Sequence, residues 1–197
     1  LDVGQGLATL IVKDGKGVLY DTGSSWAGGS MAQLEILPYL QRQGIQLEWL
    51  ILSHDDNDHS GGARAMLSAY PDIQLTTASQ KRYGEKNTEE NDRTFCLAGK
   101  QWAWQGLRLT VLSPDNIVPR AENPDSCTLL LTDGKYNILL TGDADLSVEY
   151  NILPKLDKIH VLQVGHHSRQ QPPPPLARGV QALSLIHISE PTRLLSI

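Results

Sequence analysis

A chain of 197 residues is long enough to bury one substantial core and short for two. With 40% hydrophobic and 20% charged residues, it falls among folded, water-soluble chains and outside the disordered and fibrous classes. The formal net charge of −5 excludes a sheath of positive charge for gripping nucleic acid, so any such contact must be local or metal-assisted.

In chain order, the segment L-D-V-G-Q-G at Leu1 to Gly6 comes first, without an initiator Met or leader peptide, so a fragment of a longer protein is expected. Apolar runs bounded by Gly, Asp or Ser predict strands at Ala8 to Val12, Val18 to Asp21 and Leu47 to Ser53. Met31 to Arg42 carries Met31, Leu34, Ile36, Leu37 and Leu40 near helical spacing, with Gly44 as its C-terminal cap and Pro38 as a kink. A second helix is predicted at Ala63 to Tyr70, after a tight turn at Gly61 and Gly62. The polar stretch Lys81 to Arg93 reads as a surface excursion. Further strands are predicted at Leu107 to Leu112, Thr128 to Thr132, Tyr136 to Thr141 and Ile159 to Val164, with a helix from Ala144 to Leu153 stopped by Pro154.

Pro172 to Pro175 is a stiff, non-helical run. The stretch Ser184 to Arg193 resembles the translated read-through of a sequencing adapter, so residues 183–197 are expected to be a non-native tail and 1–182 the domain. No apolar run reaches the ~20 residues of a membrane-spanning helix. Cys96 and Cys127 are compatible with one disulfide or with two buried thiols. The order of elements predicts an α+β fold: two sheets packed face to face with helices outside, a four-layer αββα sandwich truncated at its C-terminus.

The chemistry concentrates in S-H-D-D-N-D-H-S-G-G, Ser53 to Gly62, directly after the apolar run Trp49 to Leu52. His54, Asp55, Asp56, Asp58 and His59 cannot share a strand end cheaply without a counter-charge, which a divalent metal supplies. A solvated acidic loop with two incidental histidines is the plainer alternative. Against it stand two further apolar strands that end in ligand-type residues: L-L-T-G-D at Asp143, and V-G-H-H-S at His166 and His167. Serine-hydrolase chemistry would need a G-x-S-x-G elbow, and phosphate cradling a G-x-x-x-x-G-K-[ST] loop; neither occurs.

The ordered set H-x-x-x-D-H-x-G-G, T-G-D and G-H-H-S resembles the metallo-β-lactamase superfamily from Leu1 to about Ala182. Asp56 stands where most of that superfamily has the middle His of H-x-H-x-D-H. This departure, with L-D-V-G-Q-G and the D-T-G at Asp21 to Gly23, resembles the ComEC competence branch. The resemblance implies catalytic roles for Asp56, Asp58 and Asp143. It implies one metal on His54 and Asp56, and a second on Asp58 and His59. Asp143 would bridge them, and either His166 or His167 would complete the second. Asp21 would brace the ligand loop from outside. Asn123 and Ser126, in E-N-P-D-S-C, fall where another ligand strand usually lies and are expected near the metals. Gly4 and Gly6 would permit a close backbone approach beside the site.

Asp56 in place of an imidazole enriches the site in oxygen, which favours Mn²⁺, then Zn²⁺, with Mg²⁺ also open. Two such ions about 3.5–4 Å apart suit displacement at phosphorus. The resemblance further implies a domain on the extracytoplasmic side of the cell membrane, attached to a channel that imports DNA as a single strand. Its substrate would be the strand left outside, and an oxidising location shifts the cysteines toward a disulfide. Lys81, Arg82, Lys86, Arg93, Arg120 and Arg169 could guide a DNA backbone, although most of six scattered cations are expected to be ordinary surface. Two other readings are a stand-alone hydrolase of small phosphodiesters or lactones, and a non-catalytic module with a decayed metal site.

Overall fold

The computed structural model describes residues 1–84, 93–164, 176 and 184–187. Its first half runs β1 (Thr9–Lys13), β2 (Lys16–Tyr20), a small hairpin of β3 (Ser25–Trp26) and β4 (Gly29–Ser30), a π-helical turn (Ala32–Ile36), α1 (Leu37–Gln43) and β5 (Gln46–Leu52). Then follow α2 (Asn57–Ser60), α3 (Ala63–Ala69), β6 (Gln74–Thr77) and β7 (Arg93–Phe95). The second half holds β8 (Gln101–Trp104), β9 (Leu107–Ser113), a 3₁₀ turn (Asn123–Asp125), β10 (Thr128–Thr132), β11 (Asn137–Leu140), α4 (Leu146–Ile152), β12 (Val161–Val164) and β13 (Ser184–His187).

Two sheets result, ordered β1-β2-β5-β6-β7 and β13-β12-β11-β10-β9-β8. In the first, β2, β5, β6 and β7 run parallel. In the second, β8 to β11 form an antiparallel meander, and β12 and β13 continue it in parallel. Four residues of the stretch expected to be a tail, Ser184–His187, thus pair with β12.

Strand alternation sorts the apolar side chains into three layers. Val18, Tyr20, Trp49 and Ile51 from one sheet meet Leu109, Val111, Leu129, Leu131 and Leu140 from the other. Leu19, Leu50, Leu52 and Leu75 face away, against Ile36, Leu40, Met66 and Leu67 of the helices. Leu112, Leu139 and Leu162 pack on Val148 and Ile152 of α4. Helix, sheet, sheet, helix is therefore the layer order. One detail breaks strict alternation: Leu47 and Trp49 face opposite layers because the β2–β5 register slips between Gly17 and Val18.

The helix predicted from Met31 is continuous and changes from π-helical to α-helical just before Pro38, the kind of irregularity expected at a proline. Two local expectations need correction. Gly61 and Gly62 have right-handed helical backbones. Their lack of a side chain serves close approach instead, since a Cβ would fall 2.4 Å from Ser25 N at Gly61 and 2.7 Å from Thr22 O at Gly62. Gly6 lies in the same way over the Asp58 carbonyl, whereas Gly4 has open space around it.

Cys96, beyond β7, and Cys127, before β10, form a disulfide that ties the two sheets, with Cα atoms 5.8 Å apart. Closing a loop of 31 residues restricts the unfolded chain, so Cys96→Ser with Cys127→Ser should cost about 3–4 kcal/mol of stability. Comparing the melting temperature of this double variant with that of the oxidised protein checks it.

Candidate metal centre

The C-terminal ends of β5 and β11 lie side by side across the inter-sheet core, and the polar residues that follow them meet there. His54 and His59 are fully buried and Asp143 is 3% exposed. Each of the three offers an atom within 4.8 Å of the others. His59 Nε2 lies 3.3 Å from Asp143 Oδ2 and 4.0 Å from Asp58 Oδ2, and His54 Nε2 lies 3.6 Å from Asp56 Oδ2. The two imidazole rings are 4.3 Å apart. All five central residues named from the sequence therefore converge. His166 and His167 lie outside the described residues.

Asp21 organises this cluster. It is fully buried, with a backbone φ of 62°, a left-handed conformation that Asp tolerates better than most residues. Its Oδ1 accepts the Ser53 backbone N–H at 2.7 Å, and its Oδ2 accepts the Ser53 hydroxyl at 2.7 Å and His59 Nδ1 at 2.8 Å. The Ser53 hydroxyl has one proton and gives it to Asp21. At 2.9 Å from His54 Nδ1, it must therefore accept the Nδ1 proton of that ring. The consequence is a fixed tautomer, with the His54 Nε2 lone pair turned into the cluster. That nitrogen is buried and has no hydrogen-bond partner among the described residues. A buried, proton-free imidazole nitrogen facing carboxylates is what a divalent cation requires, so the residues present fit a metal.

The two rings respond oppositely to this environment. Burial pushes the His54 pKa down, and the neighbouring His59 charge adds to that. For His59 burial also works downward, but the Asp21 and Asp143 carboxylates outweigh it and raise its pKa to about 10. Without metal, His59 therefore carries a proton at neutral pH, and a metal must displace it. Loading at pH 7 should release about one proton through His59, measured by titration calorimetry in buffers of different ionisation enthalpy. The same raised pKa sets a stability trend for the metal-free protein. The favourable charge is fully present below the unfolded value near 6.5 and lost as pH rises through about 10. Melting of chelator-treated protein should fall across that window.

Side chains beyond the motif hold the turns in place, and several carried no role in the sequence reading. Gln163 on β12 is buried; its Oε1 accepts the N–H groups of Thr141 and Gly142, and its Nε2 donates to the Gly142 carbonyl. It clamps the turn that presents Asp143. Gly142 has φ 57°, and a Cβ there would stand 2.6 Å from the Ser53 Cβ, so only glycine lets the two strand ends meet. Thr22 donates both its N–H and its hydroxyl to the His59 carbonyl.

Asp55, whose role the motif left open, points away from the cluster. Its carboxylate accepts from the Ser79 hydroxyl, the Tyr83 hydroxyl and the Ala121 N–H. That last bond pins the loop bearing Arg120, whose guanidinium lies 3.4 Å from Asp56. Such pairs, 66 residues apart in the case of Asp55 and Ala121, leave no local pattern to read. Ser126 is fully buried, one residue from the Cys127 N–H that donates to the Ser53 carbonyl. The Ser126 hydroxyl and Asn123 Oδ1 are buried without hydrogen-bond partners among the described residues.

The chain matches the family model for the metallo-beta-lactamase superfamily over residues 1–172. It is 65% identical over 167 residues to Recombination protein 2 of Haemophilus influenzae, covering 85% of this chain and 21% of that protein. It is 32% identical over 171 residues to Competence protein ComA of Neisseria gonorrhoeae, covering 84% and 23%. The chain thus spans between a fifth and a quarter of the length of these relatives. Among solved structures, the MIM-2 metallo-beta-lactamase superposes with a TM-score of 0.56 at 21% identity, covering 86% of this chain and 74% of that one. By its fold, its metal-type residues and the match to the family model, the chain belongs to the metallo-β-lactamase superfamily.

Proposed function

We propose that this chain is the hydrolytic domain, residues 1–182, of a competence protein, and that it cleaves phosphodiester bonds of the DNA strand left outside during natural transformation. The observation that carries the reading is the convergence of His54, His59 and Asp143, with Asp56 and Asp58 beside them, in a chain whose relatives include a Competence protein ComA. His54 and Asp56 would hold one divalent ion, and Asp58 and His59 a second. Asp143 would lie between them, and His166 or His167 would complete the second site. Such ions supply Lewis acidity that lowers the pKa of water and offsets charge developing at phosphorus. The part of the chain itself is to hold that geometry: Ser53 and Asp21 orient both rings, and Gln163 steadies Asp143. The oxygen-rich ligand set favours Mn²⁺ over Zn²⁺ and Mg²⁺.

The Cys96–Cys127 disulfide supports a location outside the cytoplasmic membrane. None of the described helices is long and apolar enough to cross a bilayer, so the membrane channel would be a separate part of the full-length protein. The test is cleavage of a labelled single-stranded oligodeoxynucleotide with Mn²⁺, Mg²⁺, Zn²⁺ or chelator. Cleavage that requires metal and is fastest with Mn²⁺ is expected. Hydrolysis confined to small phosphodiesters or lactones would move the assignment to a stand-alone hydrolase.

A further inference from the structure

Beside the metal cluster, a cleft of about 430 Å³ is lined by Arg64, Lys81, Arg82 and Arg120, together with Asp55 and Tyr83. The four cations come from three separate parts of the chain: α3, the segment after β6, and the loop before the 3₁₀ turn at Asn123. Among the described residues, one carboxylate, Asp55, lines the cleft. Its oxygens accept from the Ser79 and Tyr83 hydroxyls and the Ala121 N–H, which hold it in place as one negative charge in the cleft. Among the described residues, four lining cations set against Asp55 and the Asp56 partner of Arg120 leave a local positive excess in a chain of net charge −5.

The cations differ in what they already do. Lys81 donates to the Asp55 carbonyl and lies 4.9 Å over the Tyr83 ring, which fixes its position. Arg120 reaches Asp56 at 3.4 Å, so the cleft borders the metal cluster through that pair. Arg64 and Arg82 are exposed. Arg93, another of the cations singled out in the sequence, is spent elsewhere: it donates to the Gln80 and Lys81 carbonyls and packs over Phe95. Lys86 and Arg169 lie outside the described residues.

We infer that this cleft is a binding site for the sugar–phosphate backbone of single-stranded nucleic acid, feeding one phosphodiester toward Asp56 and the metal cluster. The inference rests on the phosphodiesterase reading and adds the surface that holds the polymer. Cations clustered beside a metal centre suit a flexible polyanion. The cleft volume lies in the size range of small-ligand sites, about 300–1,000 Å³, so it would engage a short stretch of backbone at a time. Arg64 was absent from the cations noted in the sequence because only α3 packing brings it opposite Lys81 and Arg82.

The experiment measures equilibrium binding of a fluorescein-labelled oligodeoxythymidylate of about 12 nucleotides by anisotropy, in chelator so that no cleavage occurs. Arg64→Ala with Arg82→Ala should weaken binding on the order of 10-fold at about 0.1 M salt, and should flatten the log–log salt slope by about 1.4, or 0.7 for each lost contact. The paired lysine variant should keep most of the affinity, and a methylphosphonate oligomer of the same length should not bind. Unchanged affinity and slope in the alanine variant, lysine variants as weak as alanine ones, or no binding by the wild type would each overturn the inference. Binding with these charge effects but no cleavage once metal is added would sink the nuclease reading alone and leave the cleft standing.

Discussion

Asp143→Asn is expected to lower metal affinity and metal-dependent hydrolysis by more than about 100-fold, since side chains that merely support a ligand already cost 10- to 100-fold when removed. Asn has the shape of Asp, so the Gln163 clamp and the tight Gly142 turn should keep the fold intact. What disappears is a buried negative charge facing both histidines. His59 loses one of the two carboxylates that hold its pKa near 10, and the cation site loses a counter-charge. A competitive titration against a chromophoric chelator, run beside the oligonucleotide assay, checks both effects. Wild-type affinity in the Asn variant would remove Asp143 from the site.

Asp21→Asn should produce a smaller loss by a different route, about 10- to 100-fold in metal affinity. The left-handed backbone at Asp21 is one that Asn also tolerates, so the main change is electronic. An amide in place of the carboxylate can still accept from Ser53. If its NH₂ group turns toward His59 Nδ1, that nitrogen must accept, and the ring proton moves to Nε2, where it points into the metal site. Loss of function through the wrong tautomer is a known consequence of such a change. Asp21→Ala should add a fold defect, because the Ser53 N–H, the Ser53 hydroxyl and His59 Nδ1 would lose a buried acceptor, at about 1–3 kcal/mol each. A two-dimensional NMR spectrum of the imidazole nitrogens distinguishes the tautomer effect in the Asn variant from general unfolding.

Much of the fold was legible because its signals are local. The Leu- and Ile-rich runs of β5, β10 and β11 are bounded by polar turns, and their alternation sorts side chains into the layers seen. β8 was missed, although Gln101–Trp104 alternates exposed and buried residues, because four residues are too few to stand out from a loop. β6 and β7 depend on parallel pairing with distant partners, which no window of sequence records.

The site divides in the same way. His54, Asp56, Asp58 and His59 sit within six residues, and Asp143 ends an apolar strand, so their convergence could be anticipated. The supports could not. Gln163 looks like an ordinary strand residue until its side chain is seen bridging 21 and 22 residues to the Gly142 turn. Asp55 looks like a ligand by position and proves to face the opposite way. Ser53 becomes informative only once its single proton goes to Asp21, which leaves its oxygen to accept from His54.

The most direct test of the metal centre is equilibrium binding of Mn²⁺ to the chelator-treated protein at pH 7, with metal and proton stoichiometries read from the same titration. Saturable binding that releases protons and is lost in Asp143→Asn is the result expected of a centre built on His54, His59 and Asp143. Absence of saturable binding, or binding that neither releases protons nor responds to that substitution, would contradict it.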